Sequence, residues 1–145
     1  MFTMSTLDKM SILFPMVALA TLTFAVLLLI PLRRFRAGFA GKVRMDDFKY
    51  GESGSVPPEV GIPNRNMMNL LELPMLFYVA CLAYLAIGRV NEAAVVLAWL
   101  YVGLRGAHSA IHVTYNRVRD RLIAFTLSNV VLVMFWTNLV RAFPA

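Results

Sequence analysis

Four long apolar stretches divide the chain, at about residues 10–32, 65–88, 93–114 and 121–141. Each matches the roughly 20 residues an α-helix needs to cross the bilayer core. Met10 to Leu32 carries no charge between Lys9 and Arg33. It is too long for the apolar core of a cleaved signal peptide and no basic region precedes it, so it reads as an uncleaved first span. Pro15 falls in its first turns, where a missing N–H matters least, and Pro31 marks its end. Residues 37–63 are rich in glycine, proline and charge, and read as a long cytoplasmic connection over about 33–64, either a lid folded over the membrane face or a mobile linker. The pattern predicts an all-α integral membrane four-helix bundle, one domain over residues 1–145.

Polar residues inside the spans fall on two stripes. In the second span, Arg65, Asn69 and Glu72 are spaced i, i+4, i+7 and share one helical face. Glu72 is the only formal charge between Arg65 and Arg89. A carboxylate at membrane depth costs about 3 kcal/mol on the lenient scale and needs a partner or a wet cavity. Two readings stay open for it: a structural ion pair with an arginine of another helix, or part of a binding site. Pro74 removes the hydrogen bond to the Leu70 carbonyl and should bend the helix beside Glu72. On a continuous helix Glu72 would lie about 10 Å deeper than Arg65. In the third span Tyr101, Arg105, His108, His112 and Asn116 share a face, which should turn to the bundle interior or to a subunit interface. Gly103 and Gly106 permit close helix approach.

Composition sharpens this picture without redirecting it. The 145 residues are 59% hydrophobic with a mean hydropathy of +0.68, and the formal charge is +6. The basic residues flank the apolar runs, so they report topology and anionic lipid rather than nucleic acid, for which no motif is present. Most follow spans one and three. The positive-inside rule then places those loops in the cytoplasm and both termini on the other side. Cys81 is the only cysteine, so no intrachain disulfide forms, and it reads as apolar filler.

The candidate chemistry is cationic. Arg33 or Arg34, Arg65, Arg117, Arg119 and Arg121 cluster toward one membrane face, and guanidinium groups bind carboxylates in bidentate fashion. A ligand with two carboxylates and an amine would suit these cations and Glu72. If it also carried a thiol, a nearby arginine would lower the thiol pKa from about 8.5 and supply a thiolate. A lipid-facing basic belt is the plainer alternative. His108 and His112 are one turn apart, but Ser109 follows His108 where a zinc protease motif has glutamate. The chain has no other histidine, so no metal or haem is expected. No serine triad, carboxylate pair or phosphate-binding glycine loop is present.

These features together resemble the MAPEG family, the membrane-associated proteins of eicosanoid and glutathione metabolism. The specific part is Arg-x-x-x-Asn-x-x-Glu at Arg65, Asn69 and Glu72, followed by Pro74 and Phe77. Arg105-x-x-His108, with Arg121 thirteen residues after the histidine, is similar to the microsomal prostaglandin E synthase branch. The resemblance implies a homotrimer with active sites between subunits near the cytoplasmic face, and glutathione as the ligand. It implies that Arg65, Asn69, Glu72 and His108 hold the tripeptide with Arg33 contributing, and His112 stands beside them. Arg121 would stabilise the thiolate, with Arg119 as the fallback. The chain departs from the pattern in three places. His112 and Phe125 stand where the family often has tyrosine, and Pro74 follows Glu72 by two residues rather than three. The prostaglandin and leukotriene activities are therefore not expected, and a bacterial, inner-membrane branch is. The resulting expectation is a glutathione transferase or peroxidase acting on lipophilic electrophiles from the bilayer. The alternatives are a non-enzymatic membrane protein binding a lipid or other anionic ligand on the same scaffold, and a small transporter or channel.

Overall fold

A computed structural model describes residues 9–143; both chain ends, on which the expected placement of the termini bears, lie outside the described residues. The chain forms α1 (Leu13–Phe39), a single-turn 3-10 helix (Met45–Phe48), α2 (Pro58–Leu71), α3 (Pro74–Ile87), α4 (Glu92–Val113) and α5 (Val118–Ala142). Helices α2 and α3 follow one another across two residues and act as a single span. The four resulting rods are each long and apolar enough to cross a membrane. The protein is an all-α integral membrane four-helix bundle. Phe14, Val17, Phe24 and Leu28 of α1 stand exposed, as expected of a face solvated by lipid.

Three boundaries differ from the sequence reading, each at a proline. Helix α1 does not stop at Pro31 but runs on to Phe39. The proline removes only its own hydrogen bond to the Leu27 carbonyl, and the arginine-rich turns beyond it are good helix formers. Helix α2 starts at Pro58 rather than near Arg65, so residues 58–64 of the expected connection are helix. Pro58 takes the N1 position, where no N–H is needed. Pro63 deprives the Glu59 carbonyl of its helical donor, and Arg33 Nη1 supplies a replacement at 3.0 Å. At Pro74 the expected bend is a full break: α2 ends at Leu71, and Glu72 leaves helical geometry with φ −81° and ψ −97°.

The core is a run of interlocked rings. Phe77 stacks on Tyr101 at 4.9 Å between centroids and meets Phe135 at 5.6 Å, and Phe135 meets Tyr84 at 5.2 Å. All four are fully enclosed. Around them pack Leu19 of α1, Ala94 and Ala98 of α4, and Leu132 and Leu139 of α5. Asn91 caps α4 by accepting from Ala94 N–H at 2.8 Å, and its amide donates to Asn138 Oδ1 of α5 at 3.0 Å.

The connection at 40–57 is a folded cap rather than a free linker. Val43 buries against Ala37 and Val60, with Phe48 and Val56 alongside. Asp47 accepts from the Arg44 amide at 2.7 Å and from the hydroxyls of Ser53 at 3.0 Å and Ser55 at 2.9 Å. These bonds, the backbone one foremost, hold the Asp47 carboxyl below its usual value of 3.8. Glu52 lies over Gly61, where a Cβ would strike its carboxylate, and pairs with Arg34 at 3.4 Å.

Candidate active site

The recess starts from the contact between α2 and α4. Arg105 is completely buried, and its Nη2 donates to the Asn69 carbonyl, near the end of α2. The break at Pro74 leaves the last carbonyls of α2 without helical donors, and a cation there also opposes the negative end of the helix dipole. One turn further along α4, Ser109 donates to Asn66 Oδ1 of α2 at 3.2 Å. The polar stripe of α4 therefore faces inward, against α2.

The turn between α4 and α5 completes the wall. Helix α4 ends at Val113, with Thr114 out of helical geometry at φ −103° and ψ −98°, and Asn116 closes the turn: its φ of 48° is left-handed, which asparagine tolerates better than most residues, and its N–H returns to the Ile111 carbonyl at 2.8 Å. The Asn116 side chain then accepts from Arg121 Nη1 at 2.7 Å, orienting the guanidinium. His108 Nδ1 lies 3.1 Å from the Arg121 carbonyl. A carbonyl only accepts, so Nδ1 carries the proton and Nε2 of the neutral ring presents a lone pair. That Nε2 is enclosed without a partner, as is Nδ1 of His112.

Arg65, Asn69, His108, His112, Val118, Arg121, Leu122 and Phe125 together enclose a recess of 330 Å³. Its size is at the lower end of small-ligand sites. None of its described lining residues is acidic, and no cluster of metal-ligating side chains occurs among the described residues. The chemistry of this donor set suits an anion. Val118, Leu122 and Phe125 give it one apolar wall.

Five of the residues singled out from sequence meet here: Arg65, Asn69, His108, His112 and Arg121. Three do not. Arg33 lies on a different cavity, shared with Arg36, Lys42 and Glu59. It donates to the Glu59 carbonyl and, at 2.6 Å, to the Val113 carbonyl, clasping α1 to the start of α2 and the end of α4. Arg119 is exposed on the first turn of α5. Glu72 is exposed on the protomer at the break, because the helical spacing that would align it with Arg65 ends one residue before it. Sequence reasoning missed the Asn66–Ser109 pair and the role of Asn116 as the partner of Arg121. The signal available for the first was a polar residue where a membrane helix should be apolar; for Asn116 it was an asparagine, tolerant of the left-handed region, in the turn after α4.

The family model for MAPEG matches residues 12–141, nearly the whole described chain. The chain belongs to the MAPEG family. No curated protein and no solved structure matches it. Membership ties this membrane protein to glutathione-related or eicosanoid metabolism, and MAPEG proteins are generally associated with glutathione. The recess fits such a ligand in sign, with two arginines for carboxylates, an unpartnered imidazole nitrogen, and no opposing acid.

Proposed function

We propose that the chain is a glutathione-dependent transferase or peroxidase acting on lipophilic electrophiles. The observation that carries this reading is the gathering of Arg65, His108, His112 and Arg121 around one acid-free recess in a MAPEG chain. Arg65 holds a carboxylate of the tripeptide, and Asn69 supports it from the next turn. Arg121, oriented by Asn116, stabilises the sulfur as thiolate, and His108 Nε2 accepts a hydrogen bond from the ligand. The thiol proton passes to water as the thiolate forms. The thiolate then attacks an electrophilic carbon and the leaving group departs with the electron pair of the broken bond, or it attacks the outer oxygen of a hydroperoxide, the alkoxide leaves with the O–O pair and takes up a proton, and a second glutathione reduces the sulfenic acid to disulfide and water. The apolar wall of Val118, Leu122 and Phe125 admits a substrate dissolved in the bilayer.

The working unit in this reading is a homotrimer. Supporting it is the exposed Glu72, since a carboxylate facing lipid costs about 3 kcal/mol or more and a neighbouring protomer would relieve that. Glu72 then meets the ligand's ammonium group across the subunit contact, with Arg33 and Arg119 as lesser contributors from the rim. Topology follows the basic loops: recess in the cytoplasmic leaflet, both termini outside, in a bacterial inner membrane.

The test is turnover by the purified protein with glutathione and either an aryl halide or a lipid hydroperoxide. The reading expects saturable activity that Arg121→Ala abolishes. Equal rates in the two proteins would remove Arg121 from the mechanism. A second reading, a non-enzymatic protein holding a lipid or another anion, is favoured by His112 and Phe125, which put no phenol hydroxyl on the recess wall. It expects no saturable glutathione binding by calorimetry.

A further inference from the structure

A second cavity, of 780 Å³, opens between the last turns of α1 and the folded cap. Its walls are apolar, with Pro31, Phe35, Phe39 and Phe48 prominent, and two arginines, Arg34 and Arg44, complete it. It shares no residue with the recess. Arg34 is preorganised. Its guanidinium lies 4.4 Å from the centroid of the Phe48 ring and makes one long contact, 3.4 Å, to Glu52. Its Nε is enclosed with no partner, so donor capacity is left over. Arg44 is exposed, with its backbone fixed by Asp47.

The surroundings say what kind of molecule belongs there. Phe39 and Met45 are 91% and 92% exposed in the protomer. Large apolar side chains at that exposure, beside arginines and at the end of a spanning helix, mark the headgroup level of a bilayer. Between Arg33 and Glu52 the chain has six basic residues against three acidic ones, so the field favours an anion. A pocket with greasy aromatic walls and a guanidinium edge at this depth matches a molecule that is apolar along its length and anionic at one end.

We infer that this cavity is a binding site for one acidic phospholipid, its phosphate held by Arg34 and Arg44 and its upper acyl chain lying along Phe35, Phe39 and Phe48. Bound there, the lipid joins α1 to the folded cap. The site is independent of the glutathione reading and stands or falls separately from it.

Native mass spectrometry of the full-length protein in neutral detergent tests this, with phosphatidylglycerol, phosphatidylcholine and inorganic phosphate as separate probes. The site predicts one phosphatidylglycerol per protomer in clear preference to phosphatidylcholine, and no competition by inorganic phosphate. Arg44→Gln lowers the preference by about fivefold, the contribution of one arginine near an anionic surface. Arg34→Gln combined with Glu52→Gln, which leaves no acid unpaired and the net charge unchanged, also lowers it, through the loss of the guanidinium donors. Arg89→Gln, the same charge change at the opposite end of the bundle, leaves it intact. Equal binding of both lipids, a preference that survives both arginine variants, an equal loss in Arg89→Gln, or displacement by inorganic phosphate would each overturn the assignment.

Discussion

Phe77, Tyr84, Tyr101 and Phe135 fill one half of the bundle, while Asn66, Arg105, His108, Ser109 and His112 are buried in the other. Every ring of the first group meets another ring. In the second group Asn66 Nδ2, Arg105 Nε and Nη1, His108 Nε2 and His112 Nδ1 are enclosed without partners, five atoms against the Tyr101 hydroxyl in the first. Buried polar groups normally find hydrogen bonds, and leaving them unpaired is destabilising. The aromatic half therefore holds the fold together and the polar half spends some of that stability on a site. Helix α4 runs through both halves, and the second span gives α3 to the first and α2 to the other, so the division falls at two depths of the bundle rather than between spans.

The comparison can be broken from either side. Phe135→Ala should destabilise the protein by about 3–5 kcal/mol, read from thermal unfolding in detergent, with turnover per folded molecule unchanged. Arg121→Ala should do the reverse: glutathione turnover falls about 10²- to 10³-fold at an unchanged melting temperature. If the two variants lose stability alike, the division into a structural and a chemical half is wrong. Asn91→Ala, which removes the cap of α4 and the contact to Asn138 at the aromatic end, should cost about 1 kcal/mol and leave glutathione affinity alone. The smallest effect concerns the folded cap. Asp47 binds its proton less readily folded than unfolded, so the stability it contributes is present above its ordinary value of 3.8 and is lost as pH falls through the lower folded value. Hydrogen-exchange protection of residues 44–55 should therefore drop as pH falls below 3.8, and the drop should be absent in Asp47→Asn.

The spans themselves were legible because membrane helices announce themselves by uninterrupted apolar length. Their ends were not, because proline carries no fixed meaning. Pro31 lies inside α1, Pro58 starts α2, Pro63 is accommodated by an arginine 30 residues earlier, and Pro74 breaks the helix. At Pro63 the outcome rests on a donor from another element, Arg33 of α1, and that is tertiary information. The stripe on α4 was readable from its spacing, since a polar face on a spanning helix has nowhere to go but inward. The stripe on α2 was readable only as far as Asn69; the same spacing that joined Glu72 to it assumed a helix that Pro74 ends. Whether the connection at 40–57 was a lid or a linker turned on the contacts of Val43 with Val60 and of Glu52 with Arg34, which a local pattern does not reveal.

A structure determined with glutathione bound decides whether the tripeptide occupies the acid-free recess between α2, α4 and α5. Density is expected between Arg65, His108 and Arg121, with the sulfur nearest the Arg121 guanidinium and Glu72 of a neighbouring protomer closing over the amine. Density lodged elsewhere, or a recess that stays free of ligand at saturating glutathione, would contradict that placement.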